Sequence, residues 1–197
     1  MVVALNEQVL YGRIDQNAYK PGTVLLIENK WAEHKPEIRK DYQEAIERFT
    51  ELGYEIHEIP MEKECLKIVK DARKGKNMWV LGLLCNLYDR DLEIAAAQIK
   101  NIFRKKDEHI VQNNLALLYG GYKWAEENLD NHFTLPGELP EDDYVVMNGN
   151  EAVSLGVMAA GIEVCSMYPI TPATSATHAM AETIESAGGV IHQAEDE

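Results

Sequence analysis

The chain has 197 residues, 46% of them hydrophobic, with 33 acidic against 19 basic side chains and a formal charge of −14. That length suits one large domain or two small ones. The acidic balance argues against a nucleic-acid binder, whose phosphate contacts need clustered Lys and Arg.

In chain order, Met1 to Leu5 is apolar and β-branched and predicts a strand, followed at once by polar Asn6-Glu7-Gln8. Tyr19-Lys20-Pro21-Gly22 is a turn signal, and Thr23 to Ile27 reads as the next buried strand. Residues 36–52 predict a helix. Pro36 suits its first turn, apolar Ile38, Tyr42, Ala45, Ile46, Phe49 and Leu52 recur at helical spacing, and Gly53 ends it. Tyr54 to Ile59 alternates as a half-buried strand closed by Pro60. Glu62 to Lys74 reads as an amphipathic helix ending at Gly75, and Asn77 to Leu84 as a buried helix. Residues 91–104 form a helix with Leu92, Ala95, Ala96, Ile99 and Phe103 on one face. Another is expected over 113–125, with Gly120-Gly121 weakening its middle. The alternation places this half in the α/β class.

Residues 128–143 carry prolines, a glycine and acids without periodicity and predict a linker. The charge balance breaks at the same place. All 19 Lys and Arg lie at or before Lys123, so residues 124–197 carry the whole −14. This acidic segment restarts with Tyr144-Val145-Val146-Met147, which turns at Asn148-Gly149-Asn150. A helix from Glu151 to about Ala160, a strand over Ile162 to Tyr168, the loop Pro169-Ile170-Thr171-Pro172 and a helix around Ser175 to Ser186 follow. Gly188-Gly189 breaks that helix before a last strand, Val190 to Gln193. Glu195-Asp196-Glu197 has the make-up of another helix's acidic first turn. Roughly 55 residues with two or three parallel strands and two helices are too few for a core of their own. Both ends of the chain are therefore expected to continue, or to be completed by a partner.

No apolar run approaches the ~20 residues of a membrane-spanning helix. The N-terminus also lacks the basic and long apolar regions of a signal peptide, so a cytoplasmic protein is expected. Cys65, Cys85 and Cys165 are far apart and odd in number, which fits reduced thiols rather than a disulfide framework or a metal site.

Three features of the second segment share one geometry: Asn148-Gly149-Asn150-Glu151, Tyr168 to Pro172, and Glu195-Asp196-Glu197. In an open α/β sheet, loops after the carboxyl ends of parallel strands converge on the ligand crevice. Thr171 sits in a stiff Pro-x-Thr-Pro loop whose prolines fix φ on each side, and Glu197 supplies a carboxylate beyond the last strand. The plainer readings are a rigid turn and a helix cap or solvated surface.

On these residues the second segment resembles the start of the alpha subunit of 2-oxoacid:ferredoxin oxidoreductases, particularly the 2-oxoglutarate type. The motifs are Asn148-Gly149-Asn150-Glu151-Ala152 with Gly156 and Ala159-Ala160-Gly161, then Tyr168-Pro169-Ile170-Thr171-Pro172, then Gln193-Ala194-Glu195-Asp196-Glu197. The first segment resembles the gamma domain of the same enzymes, fused ahead of alpha. Val2 to Asn6, Pro21 to Leu25, Lys76-Asn77-Met78 with Gly82, and Asn114-Leu115-Ala116 with Gly121-Tyr122 carry that likeness. The family's opening strand and Gly-rich loop are missing. The expected architecture is therefore α/β throughout. A partial Rossmann-like gamma domain occupies 1–127, and the start of a thiamine-diphosphate-binding, pyrimidine-type domain occupies 144–197.

The resemblance implies thiamine diphosphate chemistry shared with a beta subunit, which carries the Mg²⁺ and a 4Fe–4S cluster, with no metal on this chain. Glu197 aligns with the glutamate that hydrogen-bonds N1′ of the aminopyrimidine, where a carboxyl group favours the tautomer that removes the C2 proton. Thr171 aligns with the threonine that contacts cofactor and substrate. Tyr168 and Pro172 belong to the same cofactor-side loop, which Tyr168 and Ile170 chiefly pack. The implied reaction is oxidative decarboxylation of 2-oxoglutarate with coenzyme A to succinyl-CoA, carbon dioxide and reduced ferredoxin. It belongs to a multi-subunit complex in which this chain alone is inactive. Pyruvate or a branched-chain 2-oxoacid is the alternative substrate, and a non-catalytic partner-binding fragment the alternative role. Since residues 124–197 hold no Lys or Arg, the arginine for the substrate carboxylate is expected elsewhere. His57 and His109 read as surface residues, His192 as structural, and Trp31, Trp79 and Trp124 as core or interface. Lys105-Lys106 reads as a solvated helix end, or as a docking spot for coenzyme A or a partner.

Overall fold

In the computed structural model, which describes residues 1–130, 132–135 and 144–195, the apolar run after Gly22 forms the middle strand of a parallel sheet. The order is β1 (Val2–Ala4), β2 (Val24–Glu28), β3 (Glu55–Ile59), with Val3 opposite Leu26 and Leu26 opposite His57. Every residue of β2 is buried, and successive side chains leave it on opposite faces. Leu25 and Ile27 join Ala4, Leu10, Ile14, Tyr42 and Phe49 on one face. Val24 and Leu26 join Ile59, Met61, Trp79, Leu83 and Leu117 on the other. A strand covered on both sides needs an unbroken apolar run, which is why β2 shows no alternation.

Helices α1 (Gln8–Asp15) and α2 (Pro36–Glu51) supply the first cover. Helices α3 (Met61–Leu66), α4 (Lys76–Leu87) and α6 (Glu108–Asn128) supply the second. Between them in sequence, α5 (Leu92–Ile102) packs Ala96 and Ile99 against Val111, Leu115 and Leu118 of α6. The turn at Tyr19 to Gly22 closes with Thr23 N donating to Lys20 O at 3.2 Å, and Gly22 takes φ +73°.

Three expectations for this unit change. Helix α1 was not foreseen, because Asn6-Glu7-Gln8 looks like a loop and only Leu10 and Ile14, one turn apart, mark its buried face. The helix expected over 62–74 is two pieces, α3 and a 3₁₀ turn at Ala72–Lys74. Ile68 and Val69 both donate to Cys65 O, which closes α3, and the Asp71 carboxylate caps the second piece through Arg73 N at 3.1 Å. Finally, Gly120-Gly121 does not interrupt α6, which runs unbroken for 21 residues. A Cβ on Gly82 would lie 1.8 Å from Leu118 O, and one on Gly121 1.8 Å from Trp79 O. These glycines let the α4 and α6 backbones touch. Beyond α6 the chain still packs on this unit, because Leu129 is buried and Phe133 N donates to Leu87 O at 2.7 Å. Residues 136–143 of the expected linker lie outside the described residues.

The chain divides into two units, Met1–Pro136 and Gly137–Glu197. The second holds α7 (Gly149–Ala159), β4 (Val164–Met167), α8 (Thr174–Ala181) and β5 (Val190–Gln193). Strands β4 and β5 pair in parallel, Val164 opposite Val190, and both valines are exposed. The apolar run Tyr144 to Met147 forms no strand, and Val146 is fully exposed. Helix α8 also ends earlier than expected, at Ala181, with a separate 3₁₀ turn at Ile184–Ala187. Thr183 between them leaves helical φ, at −132°, while its hydroxyl donates back to Met180 O. The mixed α/β class with parallel sheets is as the sequence predicts. Among the described residues, no helix is long and apolar enough to cross a membrane.

Candidate functional site

The described motif residues of the second unit lie where β4 and β5 end and α7 and α8 begin. Helix α7 opens with a capping box. Asn148 Oδ1 accepts from Glu151 N at 3.0 Å, and Asn148 N donates to Glu151 Oε2 at 2.8 Å. Two groups that a helix start leaves unpaired are thereby satisfied reciprocally. One residue in from the start, Asn150 Nδ2 donates to Pro172 O at 3.2 Å and to Ser175 Oγ at 2.5 Å. Ser175 Oγ itself donates to Pro172 O at 3.1 Å. One turn further along α7, buried Ser154 donates to Asn150 O at 2.9 Å and lies against Ala176 O.

The loop after β4 is held from its other side too. Thr174 N and Thr174 Oγ1 both reach Ile170 O, at 3.0 and 2.9 Å. The carbonyls flanking Thr171 are therefore each anchored, while Thr171 is exposed and its hydroxyl has no partner among the described residues. The Thr171–Pro172 peptide is cis.

The three sequence-predicted site residues that the structure describes line two clefts. Thr171 and Pro172 line a cleft of about 340 Å³ with Thr174, Ser175 and His178. Tyr168 lines another, of about 510 Å³, with Pro169, Gln193, Ala194 and Glu195 at the carboxyl ends of β4 and β5. Glu197 lies outside the described residues, as does Asp196. Sequence reasoning missed Asn150 as a tie between motifs, and it missed His178. The first was visible only as a member of its motif, and the second had only its α8 position one turn after Thr174.

The first unit has its own polar centre at the carboxyl end of β2. The Glu28 side chain is wholly buried. It accepts from Lys76 Nζ at 2.7 Å, Glu62 N at 2.9 Å and Lys30 N at 3.2 Å. Glu62 Oε2 accepts from Lys30 Nζ at 2.9 Å and Lys76 Nζ at 3.1 Å. Burial pulls the Lys76 ammonium down, but hydrogen bonds to Glu28 and Glu62 outweigh it and hold the group above the ordinary lysine range. Burial likewise pushes Glu62 up, and hydrogen bonds from Lys30 and Lys76 bring it below the usual carboxylate range. A cleft of about 350 Å³ beside this cluster is lined by both charge signs, among them Lys30, Glu33, Glu62 and Lys63.

The remaining candidates are structural in their surroundings. Burial raises the Cys65 thiol to about 12, and all three cysteines are free. Trp79 is buried with its ring 5.6 Å from that of Trp124, and Lys30 lies 4.3 Å over the Trp31 ring. His57 Nε2 is 2.7 Å from Glu55 Oε1, and His109 and His192 are exposed. Among the described residues, no group of His, Cys, Asp and Glu is arranged to hold a metal ion.

A parallel α/β chain with a hydroxyl presented from the loop after a strand fits a class of enzymes that bind cofactor and substrate at strand ends. Residues 1–124 match the pyruvate ferredoxin/flavodoxin oxidoreductase family, and the chain belongs to that family. This is an oxidoreductase family of the thiamine diphosphate and iron–sulfur type. The chain is 33% identical over 159 residues to the 2-oxoglutarate oxidoreductase subunit KorA of Mycobacterium tuberculosis, covering 73% of this chain and 24% of that protein. It is 44% identical over 52 residues to the 2-oxoglutarate synthase subunit KorA of Archaeoglobus fulgidus, covering 26% of this chain and 15% of that protein. Among solved structures it resembles a 2-oxoglutarate:ferredoxin oxidoreductase from Magnetococcus marinus with 2-oxoglutarate, coenzyme A and succinyl-CoA bound. There the TM-score is 0.77 at 29% identity, over 98% of this chain and 32% of that one. The chain thus spans about a quarter of the M. tuberculosis relative and a third of the solved chain.

Proposed function

We propose that this chain forms part of a 2-oxoglutarate:ferredoxin oxidoreductase. Residues 1–127 act as its gamma-type domain, and 144–197 begin the domain that binds the pyrimidine side of thiamine diphosphate. The observation that carries the reading is the loop Tyr168 to Pro172. In a chain of this family, it presents a Thr171 hydroxyl, unpaired among the described residues, between two anchored carbonyls at the end of a parallel strand.

The net reaction takes 2-oxoglutarate, coenzyme A and two oxidised ferredoxins to succinyl-CoA, carbon dioxide, two reduced ferredoxins and a proton. Thiamine diphosphate, when bound, supplies the nucleophile and the electron sink that decarboxylation needs. The donor set here suits its pyrimidine side. Thr171 donates its hydroxyl proton to a substrate carboxylate or carbonyl oxygen, and its anchored backbone means little ordering cost on binding. Tyr168 and Pro172 flank Thr171 in the same loop and would pack against the cofactor side. Glu197 holds a proton at N1′ of the aminopyrimidine. The substrate carboxylate also needs a cation, and residues 124–197 hold no Lys or Arg, so that charge comes from elsewhere in the assembled enzyme. A beta subunit carries Mg²⁺ and a 4Fe–4S cluster, and the assembly works in the cytoplasm with ferredoxin as acceptor.

The test is a substrate panel on the purified complex containing this chain, read by viologen reduction. Specificity for 2-oxoglutarate predicts a kcat/KM above that for pyruvate by roughly 100-fold or more, since a site built to bind the distal carboxylate rejects analogues without it. A preference for pyruvate or a branched-chain 2-oxoacid would reassign the substrate. No activity with any 2-oxoacid would remove the reading.

A further inference from the structure

We infer that Asn150 is a positioning residue for the Thr171 hydroxyl, acting by fastening the Pro172 carbonyl and the start of α8 to the start of α7. The inference rests on the proposed role of Thr171. Asn150 is 22 residues from Pro172 and 25 from Ser175 in sequence, so its bonds are tertiary and not part of a local turn. The amide reaches a site that the helix start holds rigid, because the capping box of Asn148 and Glu151 fixes the turn from which Asn150 projects. Ser154, on the same face of α7 one turn later, makes the second tie, to Ala176 O.

The arrangement is selective in what it leaves free. The Ile170 carbonyl, before Thr171, is held by Thr174 N and Oγ1, and the Pro172 carbonyl, after it, by Asn150 and Ser175. Among the described residues the Thr171 hydroxyl, which lies between these two held points, has no partner. Two fixed points on either side of a residue set its Cα position and the direction of its side chain. A reacting group placed this way is sensitive to displacements far smaller than its own size. Asn150 touches neither the Thr171 side chain nor, on this reading, the substrate, so its effect passes through the loop.

Asn150→Asp tests this with little risk to the helix. Aspartate keeps the shape and an acceptor, removes both amide donors, and suits the first turn of a helix. In the assembled oxidoreductase, turnover is followed by release of labelled carbon dioxide, with the melting temperature measured alongside. The expected result is a fall in kcat/KM on the order of 100-fold, with the melting temperature kept, and a fall of less than about threefold when the same change is made in a Thr171→Ala background. Ser175→Ala, which removes the relay hydroxyl, should show a smaller loss that also vanishes in that background, and it decides the matter if Asn150→Asp fails to assemble. Activity of Asn150→Asp within threefold of the parent would overturn the inference. So would a full loss that persists in the Thr171→Ala background, because Asn150 would then act on something else. If Thr171→Ala is itself harmless, the proposed role of Thr171 falls and this inference with it. That outcome is distinct from a crippling Thr171→Ala beside a harmless Asn150→Asp, which removes Asn150 alone.

Discussion

Replacing Lys76 by methionine removes the ammonium that neutralises a carboxylate with no access to water. Glu28 is wholly buried, and Lys76 Nζ at 2.7 Å is its charge partner. Its other contacts are two backbone N–H groups, of Lys30 and Glu62. Breaking a buried pair on one side costs about 3–5 kcal/mol, because the remaining charge stays desolvated. Glu62 adds little, since it keeps Lys30 and is 30% exposed, which places that pair near the ~0–1 kcal/mol of surface ion pairs. Glu28→Gln in the same molecule removes the stranded charge but keeps one of the two side-chain oxygens that accept from backbone N–H groups, and should return roughly 2 kcal/mol. Trp31, Trp79 and Trp124 all lie in the first unit, so tryptophan fluorescence in urea reads that unit without the second. With an m-value near 1.5 kcal/mol/M, the Lys76→Met midpoint should fall by roughly 2–3 M. A loss below about 1 kcal/mol, or a double variant less stable than Lys76→Met alone, would refute the view that Lys76 chiefly compensates Glu28.

The Gly82 and Gly121 contacts give a second prediction. Gly82→Ala or Gly121→Ala puts a Cβ 1.8 Å from a facing carbonyl, which forces α4 and α6 apart. The expected loss is about 3 kcal/mol or more in the same fluorescence assay, and a neutral effect would mean that the two helices do not touch there. The ion pair's part in the pH dependence of that unit follows from its two shifted members. Glu62 titrates lower in the folded state, so its contribution is present above its unfolded value near ~4.3 and is lost as pH falls through the lowered value. Lys76 titrates higher, so its contribution is present below ~10.4 and is lost as pH rises through the raised value. Stability should be flat from ~4.3 up to ~8.5, above which the buried Cys65 thiol, raised to about 12, adds its own loss as pH rises; Glu62→Gln should flatten part of the acid limb, which Asp71 shares, and an unchanged acid limb would count against the ion-pair account. Glu197→Gln in the assembled enzyme should lower turnover by roughly 10³-fold with assembly intact, as expected for a group that manages a proton. Substantial remaining turnover would take Glu197 out of that role.

What the sequence reveals divides along the reach of each interaction. Strands β2 and β3 and helix α2 carry their whole signal locally: an apolar run, an alternation, and a 3–4 repeat between Pro36 and Gly53. Helix α1 hides its start behind polar residues and shows only Leu10 and Ile14 to the core. Gly121 of α6 looks like a breaker in isolation and becomes a helix contact only when the α4 backbone at Trp79 faces it, some 40 residues away in the chain. The motif around Thr171 is legible as a motif, and its family with it. The Asn150 tie is not, because a side-chain bond across 22 residues leaves no periodicity to read. The same holds for Glu28 with Lys76, where an acid at the end of an apolar strand gives no sign of its partner 48 residues on.

The most direct test of the central proposal supplies [1-¹³C]2-oxoglutarate and coenzyme A to the complex that contains this chain, with an electron acceptor present. The account predicts labelled carbon dioxide and succinyl-CoA in equal amounts, both dependent on added thiamine diphosphate. Carbon dioxide release that is indifferent to thiamine diphosphate, or its absence from a complex that holds the cofactor, would contradict it.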